Sequence, residues 1–222
     1  MFWIPPRKRS QYVPVFANNT WVKIIKACQN NEVPETWTVG SQKAMTINGT
    51  AYVIDIIGKG HDDYADGSGK APLTFQMHDC YAETKPMNSS NTNVGGWTSC
   101  AMRSTHLPAI LALMPTEVQN SIREVNKLTA AGNQSATINT TADKLFLLSE
   151  IEIFGSVSYS KSGEGTQYDY YKAGNSKVKD YYWWERSPVA FTSSGFCLVR
   201  INGNGTIGNS NDGTGISFSF CF

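Results

Sequence analysis

The residues best suited to chemistry lie in "GHDDYADGSGK", where His61, Asp62, Asp63 and Asp66 fall within a few positions of one another. Carboxylate oxygens interleaved with glycine suit a hard cation such as calcium. An EF-hand needs ligands at alternate positions and a closing Glu, and neither is present. One His is too few for a catalytic transition-metal site. Asp62, Asp63 and Asp66 are the metal candidates, but the same residues serve as caps and turn formers that bond their own backbone. The expectation carried forward is no metal and no cofactor. His78 and His106 stand far apart, no serine sits in G-x-S-x-G, and no cysteine has a nucleophile signature. "GEGTQ" at Gly163 to Gln167 lacks the strand-then-helix context and the Lys of a phosphate loop, so it reads as a turn. "YYWWERSP", Tyr181 to Pro188, could stack bases or sugars. Adjacent Trp residues on a strand face opposite ways, though, so at most one meets a given ligand. Glu185 and Arg186 are expected to anchor loops through buried hydrogen bonds. No residue is assigned a catalytic role, and the chain is not expected to be an enzyme.

The elements that position these residues read as helix, strands, helices, strands. Asn19 or Thr20 can cap a short helix through about Asn30, with Trp21, Ile24, Ile25 and Cys28 on one face. "KAMTINGTAYVIDII" reads as two strands joined at Asn48-Gly49, a strong hairpin signal. "PLTFQMHDCYA" is a strand with Leu73, Phe75 and Met77 alternating, and "TKPMNSSNTNVGG" is a loop. A helical stretch runs from about Thr98 to Met114, broken at Pro108. A second helix starts at Pro115, carries Val118, Ile122 and Val125 on one face, and ends before Gly132. "DKLFLLSEIEIFG" turns β-rich towards its end. Ser156 to Lys179 is an excursion loop or a frayed helix. From Trp183 onward the pattern is short strands and turns. This order predicts an α+β domain.

The 222 residues make one domain, with residues 1–18 as an N-terminal arm because Pro5, Pro6 and Pro14 forbid a helix across it. Phe2, Trp3 and Ile4 look like a docking peptide for homo-oligomer assembly, and Arg7 to Arg9 like a solvated cluster. An apolar fraction of 41% is ample for a core, and a net charge of +1 gives no field to steer nucleic acid. No apolar run is long enough to span a membrane. The N-terminus has its apolar residues before its charges, the wrong order for a secretory signal. The five cysteines, Cys28, Cys80, Cys100, Cys197 and Cys221, are odd in number and lack C-x-x-C. They read as small buried apolar residues of a protein made in a reducing cytoplasm.

The C-terminal segment has an unusual alphabet. From Val189 to Phe222 there is no Lys, Glu, Gln, Met or Trp, and the only charges are Arg200 and Asp212. An Asn codon ending in a pyrimidine, with either adenine replaced by any base, reaches Asn, Ser, Thr, Gly, Ala, Asp, Val, Ile, Leu, Phe, Arg and Cys, and excludes the five missing types. The composition fits adenine-directed mutagenesis of Asn-rich DNA, and equally a plain Gly/Asn-rich β segment.

"YYWWERSP", a polar stretch, "FCLV", "NGNG", a second polar stretch and "GISFSFCF" together resemble the variable region of proteins diversified by retroelements. These have a C-type-lectin-like fold related to the formylglycine-generating oxidases, and include phage receptor-binding tips and bacterial surface ligands. The resemblance spans about residues 35–222 and takes in "WTVGSQKAMTINGTAYVIDII", "GGWTSCAMRSTHLPAILALMP" and "DKLFLLSEIEIFG". It implies a rigid scaffold displaying diversified side chains, with function in the patch and not in the fold. Carried over, the scaffold positions are Trp183, Trp184, Arg186, Ser187, Pro188, Phe196, Cys197, Val199, Gly203, Phe218, Phe220 and Cys221. The display positions fall within 189–195, 198, 200–201, 204, 206–209 and 211–214. Ligand contact would be carried by Val189, Ala190, Phe191, Thr192, Ser193, Ser194, Leu198, Arg200, Ile201, Asn204, Thr206, Ile207, Asn209, Asn211, Asp212 and Thr214. The partner would be a protein or glycan receptor on a host or target cell, met at a virion tip or a cell surface. Phe191 is the main anchor, and the nearly uncharged patch should bind with weak salt dependence. Strand alternation puts Phe196 and Cys197 on opposite faces, so burying both requires a bulge or a strand start there. Two alternatives remain: an oxidase of the formylglycine-generating type using Cys197 and Cys221, and a purely structural virion component.

Overall fold

The structure, a computed structural model, describes residues 11–222. The docking peptide Phe2 to Ile4 and the cluster Arg7 to Arg9 lie outside the described residues. The packed domain reaches back at least to Tyr12. Tyr12 and Phe16 are buried, and Phe16 stacks on Phe75 with ring centroids 6.2 Å apart. Pro14 bars a continuous α-helix here, but a single 3-10 turn, Phe16–Asn18, follows it and the neighbouring aromatic rings are buried, so residue 18 is no boundary of the core.

Helix α1 (Trp21–Gln29) begins where the Thr20 hydroxyl accepts from the Lys23 amide at 3.3 Å. Its buried face is the expected one, Trp21, Ile24, Ile25 and Cys28. Strands β1 (Gln42–Ile47) and β2 (Thr50–Gly58) turn at Asn48 and Gly49, both left-handed with φ of 47° and 79°, as a two-residue primed turn requires. Strand β3 (Thr74–Met77) pairs with β2, and β9 (Ser219–Cys221) pairs with β3, giving the antiparallel order β1-β2-β3-β9. All four residues of β3 are buried, against the expected alternation. Phe75 meets Trp21 and Phe220 on one face, while on the other Gln76 accepts from the Tyr171 hydroxyl at 2.6 Å. Phe218, Phe220 and Phe222 are fully buried.

The helices depart from expectation in three places. Short helix α2 (Gly96–Ser99) leads into a π-wound turn, Met102–His106, and then α3 (Leu107–Leu111). The break falls beside Pro108, whose missing N–H and bulky ring cannot join an α ladder. The helix expected from Pro115 stops after one turn as α4 (Thr116–Gln119), and Val125–Ala130 is strand β4, paired with β5 (Ile138–Asp143). Val118, Ile122 and Val125 satisfy helical spacing, but Val125, Lys127 and Thr129 also alternate, and strand pairing wins. The end of "DKLFLLSEIEIFG", expected as β, is helix α5 (Glu150–Phe154), because Ser149 and Glu152 form a reciprocal capping box and Gly155 closes it with φ 74°.

The Ser156 to Lys179 excursion is ordered onto the domain with one helical turn, α6 (Asp169–Lys172). The third sheet is β6 (Trp183–Pro188), β7 (Phe196–Val199) and β8 (Gly205–Gly208), in that order. The architecture is α+β with antiparallel sheets and short helices. Among the described residues, no helix is long and apolar enough to cross a membrane.

Candidate functional site

The β6-β7-β8 sheet is anchored at β6, every residue of which is buried. Arg186 is fully buried and meets Glu152 with both terminal nitrogens, at 2.5 and 2.9 Å. It also donates to the carbonyls of Leu147 (2.9 Å), Leu128 (3.0 Å) and Glu164 (2.9 Å) and to the Thr129 hydroxyl (2.9 Å). A buried guanidinium is stable only when its fork of donors is filled, and here it stitches β6 to β4, to α5 and to the 164 loop. The network continues through Lys127, 2.7 Å from Glu152 and 2.8 Å from Asp62. Burial alone would raise Glu152 and Asp62. The adjacent cations more than offset it, holding Glu152 below the usual range and Asp62 at about 2.

A second group of carboxylates does the reverse. Glu185 is raised well above its ordinary value by burial and by Glu150 and Glu164 beside it, and its Oε2 has no hydrogen-bond partner. Glu164, which accepts from the Ala130 amide at 2.8 Å and from the Ser187 hydroxyl, is raised to about 7 by burial. Glu150 accepts from the amides of Ser158 (2.9 Å) and Ser160 (2.8 Å), fixing the loop that touches the candidate site.

β7 is buried on both faces. The irregularity expected at Phe196 lies instead in the partner strand. Trp184 pairs with Leu198 and Pro188 with Phe196, so four steps along β6 span two along β7. This bulge lets Arg186 aim at Glu152 while β7 stays regular.

The loop after β6 is held by its backbone. Buried Asn93 places its side-chain amide 3.0–3.4 Å from the carbonyls of Val189, Thr192, Ser194 and Gly195. Its own amide donates to the Ser193 carbonyl at 2.8 Å, and its Oδ1 accepts from the Asn133 amide at 2.8 Å. The Ala190 amide donates to the Tyr159 carbonyl at 2.7 Å. On the opposite rim, buried Ser210 accepts from the Gly195 amide (2.9 Å) and donates its own amide to Asn91 (3.0 Å). Almost every fixing contact goes to a main-chain atom, so side chains here can change without unfastening the loop. In the sequence alone Asn91 and Asn93 are indistinguishable from ordinary loop residues. Their signal was a run of Asn in a segment flanked by Gly95 and Gly96, which reads only as turn-forming until a partner loop is known.

Between these rims lies a cavity of about 200 Å³ lined by Val189, Thr192, Ser194, Ile207, Asn209 and Asp212, with Gly195 and Gly208 completing it. All belong to the expected display segments. Phe191 is 60% exposed, Ile201 52% and Ile207 42%. Ser193, Arg200, Asn204, Asn209, Asn211 and Asp212 are exposed, and Ala190, Thr192, Ser194 and Thr206 are partly so. Three expected contact residues are corrected. Leu198 and Thr214 are buried within the sheet and beside Lys85, and Val189 is buried and reaches only the cavity floor. Two glycines within the display ranges have no room to vary. A Cβ on Gly208 would fall 2.6 Å from Leu198 Cδ2, and one on Gly195 2.7 Å from the Gly208 carbonyl. Of the expected scaffold positions, all but the partly exposed Gly203 are buried.

The metal candidates do not converge. Asp62 is buried in the Lys127 network, Asp63 pairs with Lys70 at 3.0 Å, and Asp66 pairs with Arg123 at 2.5 Å and accepts from the Ser68 amide. His61, Asp62 and Glu152 do bring ligand atoms within 4.8 Å of one another. The Lys127 ammonium already bridges that Asp62–Glu152 pair, so a cation there would face a buried like charge. Cys197 and Cys221 are fully buried free thiols in different sheets, and burial raises both well above the ordinary value. The two thiols therefore do not sit on neighbouring strands.

Larger recesses open elsewhere, including one of about 330 Å³ beside Pro108, where Arg103 and Asp143 pair with each other at 2.5 Å. The chain matches the family described as "Domain of unknown function (DUF6273)" over residues 73–220, two thirds of its length. It matches no curated protein and no solved structure. The chain belongs to the DUF6273 family.

Proposed function

We propose that this DUF6273 chain is a non-enzymatic binding protein of C-type-lectin-like design, whose surface around the 200 Å³ cavity is diversified by a retroelement to meet varying protein or glycan receptors. A phage tail tip or a bacterial surface is the setting that suits such a role. The observation that carries the reading is the division of the C-terminal segment. Positions that the resemblance assigns to a scaffold are buried almost without exception, and the cavity wall is built from positions that it assigns to display. The loop chemistry supports it, because Asn93 and Ser210 hold main-chain atoms and leave side chains free. Ser, Thr and Asn on the rim supply adaptable hydrogen bonding, and Phe191 and Ile207 supply apolar contact, as in antibody loops.

Two tests bear on it. The neighbouring DNA should hold a near-identical template repeat and a reverse transcriptase gene, with differences confined to template adenines; a locus with neither removes the diversification. Grafting a sibling variant's residues at the exposed positions of 190–212 should change what is bound while the melting temperature stays within a few degrees. An unchanged ligand profile moves the site elsewhere.

A further inference from the structure

β8 is the end strand of its sheet, and no other described strand pairs with its outer edge. The β7–β8 hairpin fixes which backbone groups face that edge. The Arg200 amide donates to the Asn204 carbonyl and the Gly203 amide to the Arg200 carbonyl, both at 2.8 Å, with Gly203 at φ 82°. That is a glycine bulge closing the hairpin. From there hydrogen-bonded and non-hydrogen-bonded pairs alternate down the ladder. Leu198–Thr206 and Phe196–Gly208 bond across it, while Val199–Gly205 and Cys197–Ile207 do not. The N–H and C=O of Gly205 and Ile207 therefore point away from β7. No hydrogen bond among the described residues takes up any of these four groups.

Proteins usually blunt such an edge with Lys, Pro, a charge pointing inward or a covering segment. The sequence of β8, "GTIG", has no charge and no proline, and no other described strand pairs with its outer edge. Two residues along a strand repeat every ~6.6 Å, the spacing at which another extended backbone offers a matching donor and acceptor. A glycan offers hydroxyls but no such repeat. Both glycines face packed neighbours, Gly205 the Phe154 ring and Gly208 Leu198 and Trp184, and exposed Ile207 and Ile201 provide apolar contact beside the edge.

We infer that the partner is a protein, and that it docks by adding an extended segment to the outer edge of β8. This rests on the binding reading above and narrows its partner class. It also gives the surface a constant element: main-chain bonds at Gly205 and Ile207 persist whatever side chains the patch carries, and the variable residues select among extended segments.

The probe is a library of displayed linear peptides selected against the immobilised full chain, with a glycan array run in parallel. Selected peptides should bind as strands, so that methylating alternate backbone nitrogens of one parity cuts affinity at least tenfold while the other parity leaves it within twofold. Ile207→Pro deletes one outward N–H and no ladder bond, and should cost about tenfold, the effect of one lost hydrogen bond. Ile207→Ala, which keeps the N–H, should cost less. The peptide-methylation arm does not depend on the proline variant folding. Peptides insensitive to methylation parity, or binding confined to glycans, overturn the strand-addition inference. A dimer in sedimentation that Ile207→Pro dissociates overturns it too, since the edge would then belong to a second copy. If exchanging Phe191, Asn209 and Asp212 still changes the ligand in any of these cases, the patch reading survives; if that exchange also has no effect, both fall.

Discussion

β6 and β8 are outer strands of one three-stranded sheet, and they are built on opposite principles. β6 is buried throughout, carries Trp, Glu and Arg, and is fastened by the side chain of Arg186 to three separate parts of the chain. β8 begins and ends in glycine, carries no charge of its own, and among the described strands pairs only with β7, with one side-chain bond from Arg200 to the Thr206 hydroxyl. The contrast shows how one sheet can be rigid and variable at once. Energy tied to particular side chains is concentrated in β6, and the 189–195 and 209–212 segments are secured through main-chain atoms. Substitution should therefore be costly in one place and cheap in the other.

The largest effect is expected at Arg186. Arg186→Met leaves Glu152 buried with only Lys127 as a counter-charge and strands three carbonyls. Unfolding in urea should show a loss of about 3–5 kcal/mol, and a loss under 1 kcal/mol would mean that β6 is not the anchor. Next is Asn93→Ala, which frees four carbonyls and the Asn133 amide. The expected loss is about 2–3 kcal/mol, and amide exchange should quicken in residues 189–195 while β1–β3 stay protected. Uniform quickening would show that the loop and the scaffold are not separable.

How much of this contrast can be read from sequence depends on whether a contact is local. The Asn48-Gly49 turn, the Thr20 cap and the α1 face are set by neighbouring residues, and all three are present as expected. Burial of the "FCLV" and "SFSFCF" residues follows from their apolar character. What escaped is long-range. Asn93 reaches across about a hundred positions to hold its loop, and Leu198 is buried in a strand whose four residues are all buried, which alternation within one strand cannot reveal. The helix expected over 115–131 failed because its apolar spacing suited two periods, and the partner that decides between them, β5, lies downstream.

The pH profile sharpens the comparison further. Burial raises Glu164 to about 7 in the folded chain, whereas an unfolded Glu titrates near its ordinary value. The folded state thus favours the proton. The stabilising contribution is fully present below about pH 4.5 and is lost as pH rises through 7. Glu164→Gln keeps an acceptor for the Ala130 amide, puts an amide N–H where the carboxyl oxygen accepts from the Ser187 hydroxyl, and does not titrate. The wild-type-minus-variant stability difference should therefore fall by about 3 kcal/mol between pH 4.5 and pH 8. Asp62, held at about 2, slopes the other way but is common to both proteins and cancels. A flat difference would place the pH dependence elsewhere in the buried carboxylates.

The smallest effect is the one that matters most for the display reading. Phe191 is 60% exposed and fixed only through its loop, and Ile201 at the hairpin tip is 52% exposed. Phe191→Ser and Ile201→Ser together should shift stability by no more than about 0.5 kcal/mol per site, because both side chains meet solvent in the folded and unfolded chain alike. Binding to whatever ligand the chain carries should fall far more than stability does, through loss of the main apolar anchor. A melting temperature that dropped as steeply as with Asn93→Ala would mean that the patch side chains help hold the loop. The separation between β6 as anchor and β8 as display edge would then fail at the residue where it ought to be cleanest.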